Sequence, residues 1–281
     1  MGERARAQAG PRTIGAVEDL IEAIVGFEGG EERVARGRPA YWYRGQADRE
    51  WPLQPQALRE DFRDRARRRP DREAGAEVED GDAATRELEA SLLRLFRDSA
   101  AYLLPADPTR VDLYFLAQHH GLPTRLLDWT ANPLAALFFA ASEADERDGA
   151  VFAIDARTSF GRGPAHDVFG EDEDAVHAAV DCVFERRRFD AVDVLAGELV
   201  LPLWPKARLG RMLNQQARFT LHLDARRLDR IFPGAVTEFR VPHERKRALV
   251  PVLRRLGVNW ATLFPDLDNV ARELRASLGF E

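Results

Sequence analysis

A chain of 281 residues, 45% hydrophobic and 31% charged, is long enough to bury its own core, and its composition excludes a disordered, collagenous or disulfide-framework protein. Its formal net charge of -6 argues against coating nucleic acid through bulk electrostatics, although a local basic groove survives that total. The single cysteine, Cys182, cannot pair internally, no stretch reaches the roughly 18 apolar residues of a membrane span, and the start lacks the apolar core of a secretory signal, so the expected setting is a reducing cytoplasm with no membrane partner.

Over residues 15–27, Val17, Leu20, Ile21, Ile24 and Val25 recur at helical spacing, which predicts an amphipathic helix within an N-terminal helical extension, residues 1–37. A glycine-rich, charged loop follows. Tyr41-Trp42-Tyr43-Arg44-Gly45 then has strong β preference and reads as a buried strand that delivers Arg44 at its end. A guanidinium there, followed by Gly45 and Gln46, could meet a phosphate or carboxylate that comes close to the backbone, or could pair with a structural carboxylate at a turn. Residues 59–85 carry a basic run and then an acidic one with few apolar positions, and read as a mobile charged surface insertion.

Helices are predicted over 86–103, where Leu88, Leu92, Leu93 and Phe96 share a side, and from the capping-box spacing of Thr109 and Asp112 to the region of His119, His120 and Gly121. Asn132 before Pro133 opens a third, apolar all round over 133–141 and therefore expected at the centre of the core. Between the last two lies Thr124-Arg125-Leu126-Leu127-Asp128-Trp129, a tight polar cluster after a glycine and proline turn. Arg125 and Asp128 could form a buried ion pair that locks this turn, or could serve a ligand. His119 and His120 could simply cap their helix; adjacent histidines diverge by about 100° on a helix, and with no H-x-x-x-H or C-x-x-C spacing no metal site is expected.

Strands are predicted at 150–154, 198–203, 217–223 and 236–241; in the third, Phe219, Leu221 and Leu223 alternate with Arg218, Thr220 and His222. Asn214, Gln215 and Gln216 lead into that strand, where the paired amides could bond a base edge, a nicotinamide carboxamide or a sugar hydroxyl, or could satisfy backbone beside a sheet edge. Two helices, around 249–256 and 267–278, close the chain within residues 243–281. Strands and helices interspersed without a βαβ rhythm predict an α+β fold, a single domain with a small mixed or antiparallel core sheet surrounded by helices. The sequence has no nucleophile elbow, Walker loop, dinucleotide-binding glycine turn or kinase signature set, which disfavours those common classes.

The aromatic-Arg-Gly unit at 41–45 resembles the motif that names the FRG-domain family of bacteria and phages. Residues 117–142, AQHHGLPTRLLDWTANPLAALFFAAS, look like that family's central motif throughout. A weaker likeness continues through 214–220 and 263–275, implying an FRG domain over 38–281; Ala217 departs from the glycine expected after the paired glutamines, which narrows the approach to that strand. The resemblance implies a toxin or phage-defence setting, with an antitoxin as a partner. A more distant similarity is to ADP-ribosyltransferases, whose first core strand ends in an aromatic-Arg-Gly unit that holds the pyrophosphate of NAD. On that likeness Arg44 grips phosphate, Thr124 offers a hydroxyl and Gln216 lies near the position of the catalytic glutamate.

Because Gln215 and Gln216 carry no charge, and an oxocarbenium-like state calls for a carboxylate, Asp128 is the first candidate for that role and Glu198 the second. The leading expectation is an NAD-dependent ADP-ribosyltransferase or NAD hydrolase acting on a nucleic-acid or protein target. Arg44 and Arg125 would hold phosphates, Tyr43 or Trp129 would stack on a ring, and His119 or His120 would assist proton transfer. The rival is a non-catalytic module that binds a nucleotide or single-stranded nucleic acid through the same side chains. A third reading makes the three stretches a buried polar network. The first two require Arg44, the 124–129 segment and the amides at 215 and 216 to converge on one cleft.

Overall fold

The computed structural model describes residues 12–28, 41–69, 82–157, 159–160, 168–205 and 215–280. Strands β1 (Arg12–Thr13), β2 (Tyr41–Gln46), β3 (Leu126–Thr130), β4 (Gly149–Asp155), β5 (Phe169–Gly170), β6 (Val200–Trp204), β7 (Ala217–His222) and β8 (Val236–Val241) form one eight-stranded mixed sheet, in the order β1-β8-β4-β2-β3-β7-β6-β5. Every inner pairing is antiparallel, and the two-residue edge strands β1 and β5 pair in parallel. With helices packed on the sheet, the fold is α+β.

Local signals account for the helices that cover one face. Helix α4 (Arg110–His119) begins in a reciprocal capping box: the Thr109 hydroxyl accepts from the Asp112 N–H, and the Asp112 carboxylate accepts from the Thr109 N–H. Helix α5 (Pro133–Ala141) is capped by Asn132, whose side-chain oxygen accepts from the N–H groups of Leu134 and Ala135. It is the central buried helix. It lies so close to the sheet that a Cβ on Gly45 would stand 1.8 Å from the Ala136 carbonyl oxygen, and one on Gly149 would stand 2.3 Å from that of Ala140. Gly45 therefore admits a helix backbone, where the sequence reading expects a ligand.

Two apolar clusters share that face. One joins β3, β6 and β7 to α4 and α6 (Asp174–Glu185), and the other joins β2, β4 and β8 to α5, α1 (Val17–Glu28) and α8 (His243–Arg255). The Tyr43↔Thr130 register and the two-residue alternation along β3 put Leu126 and Asp128 on this side, and Leu127 and Trp129 on the other with Trp42. The segment expected as an extension over 1–37 contributes β1 and α1, and Ile14 and Leu20 are fully buried in the second cluster; residues 1–11 and 29–37 of it lie outside the described residues.

Several expectations are corrected. The charged insertion at 59–85 begins in helix α2 (Glu60–Arg67), which buries Phe62 and Ala66 four residues apart, and ends in the first turn of α3 (Ala83–Ser99); residues 70–81 lie outside the described residues. The polar cluster read as a turn contains β3, held between β2 and β7. Helix α6 has no counterpart in the sequence reading, although Val176, Ala179, Val180 and Val183 are buried at helical spacing. No described helix is long and apolar enough to cross a membrane.

Candidate functional site

Strand β2 pairs with β4 over six residues, and β3 pairs with β7 over five, but β2 and β3 are joined only at Tyr43↔Thr130. Past that pair the ladder stops, and a side chain takes over from the backbone. The Arg44 Nη1 donates to the Asp128 carbonyl at 2.7 Å and lies 4.0 Å from its carboxylate, while Nε donates to the Gln46 side chain at 3.2 Å. Burial lowers the Arg44 pKa to about 10, with Asp128 opposing the fall and Arg59 adding to it. At neutral pH the guanidinium is still charged.

This gap opens on a cavity of about 630 Å³. Of the residues singled out in the sequence, Tyr43, Arg44, Gly45, His119, His120, Asp128, Trp129 and Gln215 line it. Gln46, Thr124, Arg125, Glu198 and Gln216 do not. The expected convergence of Arg44, the 124–129 segment and the amides thus holds for Arg44, Asp128, Trp129 and Gln215. Asn214 lies outside the described residues.

Asp128 is an exposed carboxylate of the site, its side chain 60% accessible. It is oriented by a short relay: Gln118 Nε2 donates to Asp128 Oδ2 at 3.0 Å, and Thr124 Oγ1 donates to Gln118 Oε1 at 2.5 Å. Thr124 is fully buried and also accepts from the Leu126 N–H, so its hydroxyl positions Gln118 and is not offered to a ligand.

Arg125 does not pair with Asp128. It is fully buried with Nε 2.9 Å from Glu89 and Nη2 2.7 Å from Asp82, both near or on α3, and its guanidinium lies over Phe189. Extended backbone carries residues three apart roughly 10 Å along the chain, so the turn that would have brought the pair together is absent. Burial opposes the charge on Arg125, and Asp82 and Glu89 more than offset that, raising its pKa above the ordinary arginine value. It is a core cation and does not line the cavity.

The rings are redistributed too. Tyr43 and Trp129 are 1% and 3% exposed, and the Trp129 indole N–H donates to Thr220 on the opposite face, so both act as walls and not as stacking platforms. Phe139 and Phe264 line the cavity in an edge-to-face pair 5.8 Å apart, and the His119 and His120 rings meet at 5.0 Å where α4 ends. Gln215 takes the backbone alternative, donating from Nε2 to the Leu263 carbonyl, while Gln216 is exposed at φ 46°. Glu198 precedes β6 and stands away from the cavity.

Cavity residues to which the sequence assigned no role include Gln118, Thr130, Phe139, Glu143 and Phe264. Gln118 and Phe139 stand inside the quoted central motif, so a signal was present; Glu143 falls one residue beyond it. Glu143 accepts an ion pair from Arg272 at 3.2 Å, and its carbonyl accepts from the buried Lys246 ammonium at 2.9 Å. Outside the cavity, Asp148, His243 and Glu244 bring ligand atoms within 4.8 Å of one another, but Arg240 already donates to Asp148 at 2.7 Å and occupies its charge.

Residues 39–149 match the family model described as FRG domain, so the chain carries an FRG domain. That match takes in β2, α4, β3 and α5, and with them both Arg44 and Asp128. No curated protein and no solved structure matches the chain.

Proposed function

We propose that this FRG domain binds an NAD-class dinucleotide in the cavity between β2 and β3 and cleaves its nicotinamide–ribose bond, as an ADP-ribosyltransferase or NAD hydrolase does. The supporting observation is that Arg44 and an exposed Asp128 face one another in a space of about 630 Å³, within the usual range of small-molecule sites. Arg44, with Arg59 close enough to depress its pKa, offers positive charge to a diphosphate. Phe139 and Phe264 offer apolar surface to a ring.

In the cleavage step the C1′–N bond breaks, its electron pair leaves on the nicotinamide nitrogen, and Asp128 stabilises the positive charge that develops on the ribose. A water oxygen bonds to C1′, and its surplus proton passes to His119 or His120 at the cavity wall. The products are ADP-ribose and nicotinamide. A nucleic-acid or protein hydroxyl in place of water gives transfer.

A second reading keeps the site and removes the chemistry: a module that binds a nucleotide or single-stranded nucleic acid. What favours it is that one Asp128 oxygen is already bonded by Gln118 and that Glu143 is paired with Arg272. Incubation with NAD separates the two. Asp128→Asn is nearly isosteric at an exposed position; it is expected to lower nicotinamide release about 100-fold while NAD still binds. Binding of NAD by the wild type without release selects the second reading, and absence of both binding and release ends the first.

A further inference from the structure

The closing helix is docked with its polar side inward. Helix α10 (Leu267–Ser277) follows the short α9 (Trp260–Leu263), and none of its residues is buried. What holds it to the body is charge. Arg272 donates to Glu143 at 3.2 Å and lies 3.6 Å over the Trp260 ring; Glu273 pairs with Arg254 at 2.9 Å and accepts from the Trp260 N–H. Leu267, Leu274 and Leu278 are left 86%, 58% and 71% exposed, with Val270 at 39%. At about 100° per residue these four fall within an arc of roughly 80°, with Arg272 on the opposite side of the helix and Glu273 on the flank next to Val270. An amphipathic helix ordinarily puts this stripe against its own core.

The order of residues along the stripe says what covers it. When two copies of the helix are laid side by side in opposite directions, Leu267 of each meets Leu278 of the other, and Val270 meets Leu274. Both pairings share one centre to within about a residue, which a twofold axis requires of an isologous contact. The charges agree. Asp268 and Arg275 lie on the same flank of the stripe, about 20° apart around the helix, and both are exposed. In an antiparallel pair like flanks meet, so Asp268 of one copy faces Arg275 of the other, twice; a parallel pair would bring that flank against Glu273 and Ser277 instead.

We infer that the chain forms a twofold homodimer through antiparallel packing of α10 on α10. Two helices of three turns bury less than the roughly 1,000 Å² of a tight interface, so a micromolar dissociation constant is expected. The contact is separate from the cavity and does not depend on what the cavity binds.

Sedimentation velocity of the full chain from about 1 to 200 µM, across the micromolar range, tests it. The wild type should pass from monomer to dimer over that range. Leu274→Glu should raise the dissociation constant at least about 100-fold, since each dimer loses two buried leucines. Because Leu274 is more than half exposed, far-UV circular dichroism should show an unchanged fold. Asp268→Arg should weaken association, and Asp268→Arg with Arg275→Asp should restore it. A wild type that stays monomeric at 200 µM, a dimer indifferent to Leu274→Glu, or a double reversal that fails to rescue would overturn the inference.

Discussion

Acidification should destabilise this protein through a single buried histidine. His222, on β7, is fully buried, and its Nε2 stands 3.0 Å from the Thr220 hydroxyl, which also accepts from the Trp129 indole N–H at 3.1 Å. The Thr220 hydroxyl, accepting from Trp129, has its own proton free for Nε2 when that nitrogen is unprotonated. Burial lowers the His222 pKa to about 3; Asp224 opposes this, and Arg125 and Arg44 add to it. The unfolded chain binds the proton near pH 6.5 while the folded chain still refuses it, so stability is intact above pH 6.5 and is lost as pH falls from there towards 3. At about 1.4 kcal/mol for each pH unit, the loss is about 2 kcal/mol by pH 5 and about 5 kcal/mol in full. Urea unfolding at pH 7.5 and pH 5 measures it. In His222→Gln, which does not titrate, the acid loss should shrink by about 2 kcal/mol relative to the wild type. Equal losses in the two proteins would refute the assignment of a neutral, proton-refusing His222.

Two further substitutions probe the frame around the cavity. Gly45→Ala drives a Cβ into the Ala136 carbonyl, and since backbone must move on both sides the cost is about 3 kcal/mol or more, read as a lowered urea midpoint; an unchanged midpoint would mean that α5 is not seated as described. Lys246→Met removes the ammonium that donates to the carbonyls of Ala47, Glu143 and Ala144, leaving one buried and two partly buried acceptors without it at a cost of about 2 kcal/mol by the same measurement. The Asp128→Asn and Leu274→Glu variants should leave the midpoint nearly unchanged, because both side chains are largely exposed.

Elements with complete local signals were readable from sequence. Thr109 and Asp112 announce α4 at its first turn, Asn132 and Pro133 announce α5, and the alternation of Phe219, Thr220, Leu221 and His222 announces β7 with a one-residue difference at its end. Strand β3 escaped because it runs through the middle of the sheet with Leu126 and Leu127 adjacent and both buried, so no polar face alternates with an apolar one. The motifs at 41–45 and 117–142 also led to the FRG domain and to most of the residues around the cavity.

Which charges meet was decided only by the tertiary structure. Arg125 finds Glu89 and Asp82, 36 and 43 residues earlier, because α3 packs over the start of β3; Arg44 finds the Asp128 carbonyl 84 residues on, because β2 and β3 separate after one pair. Helix caps and strand periods depend on neighbours a few residues apart, so the amino-acid order carries them outright. A buried charge is stable only beside its partner, and that partner is fixed by how whole elements stack, which no short stretch of this chain encodes.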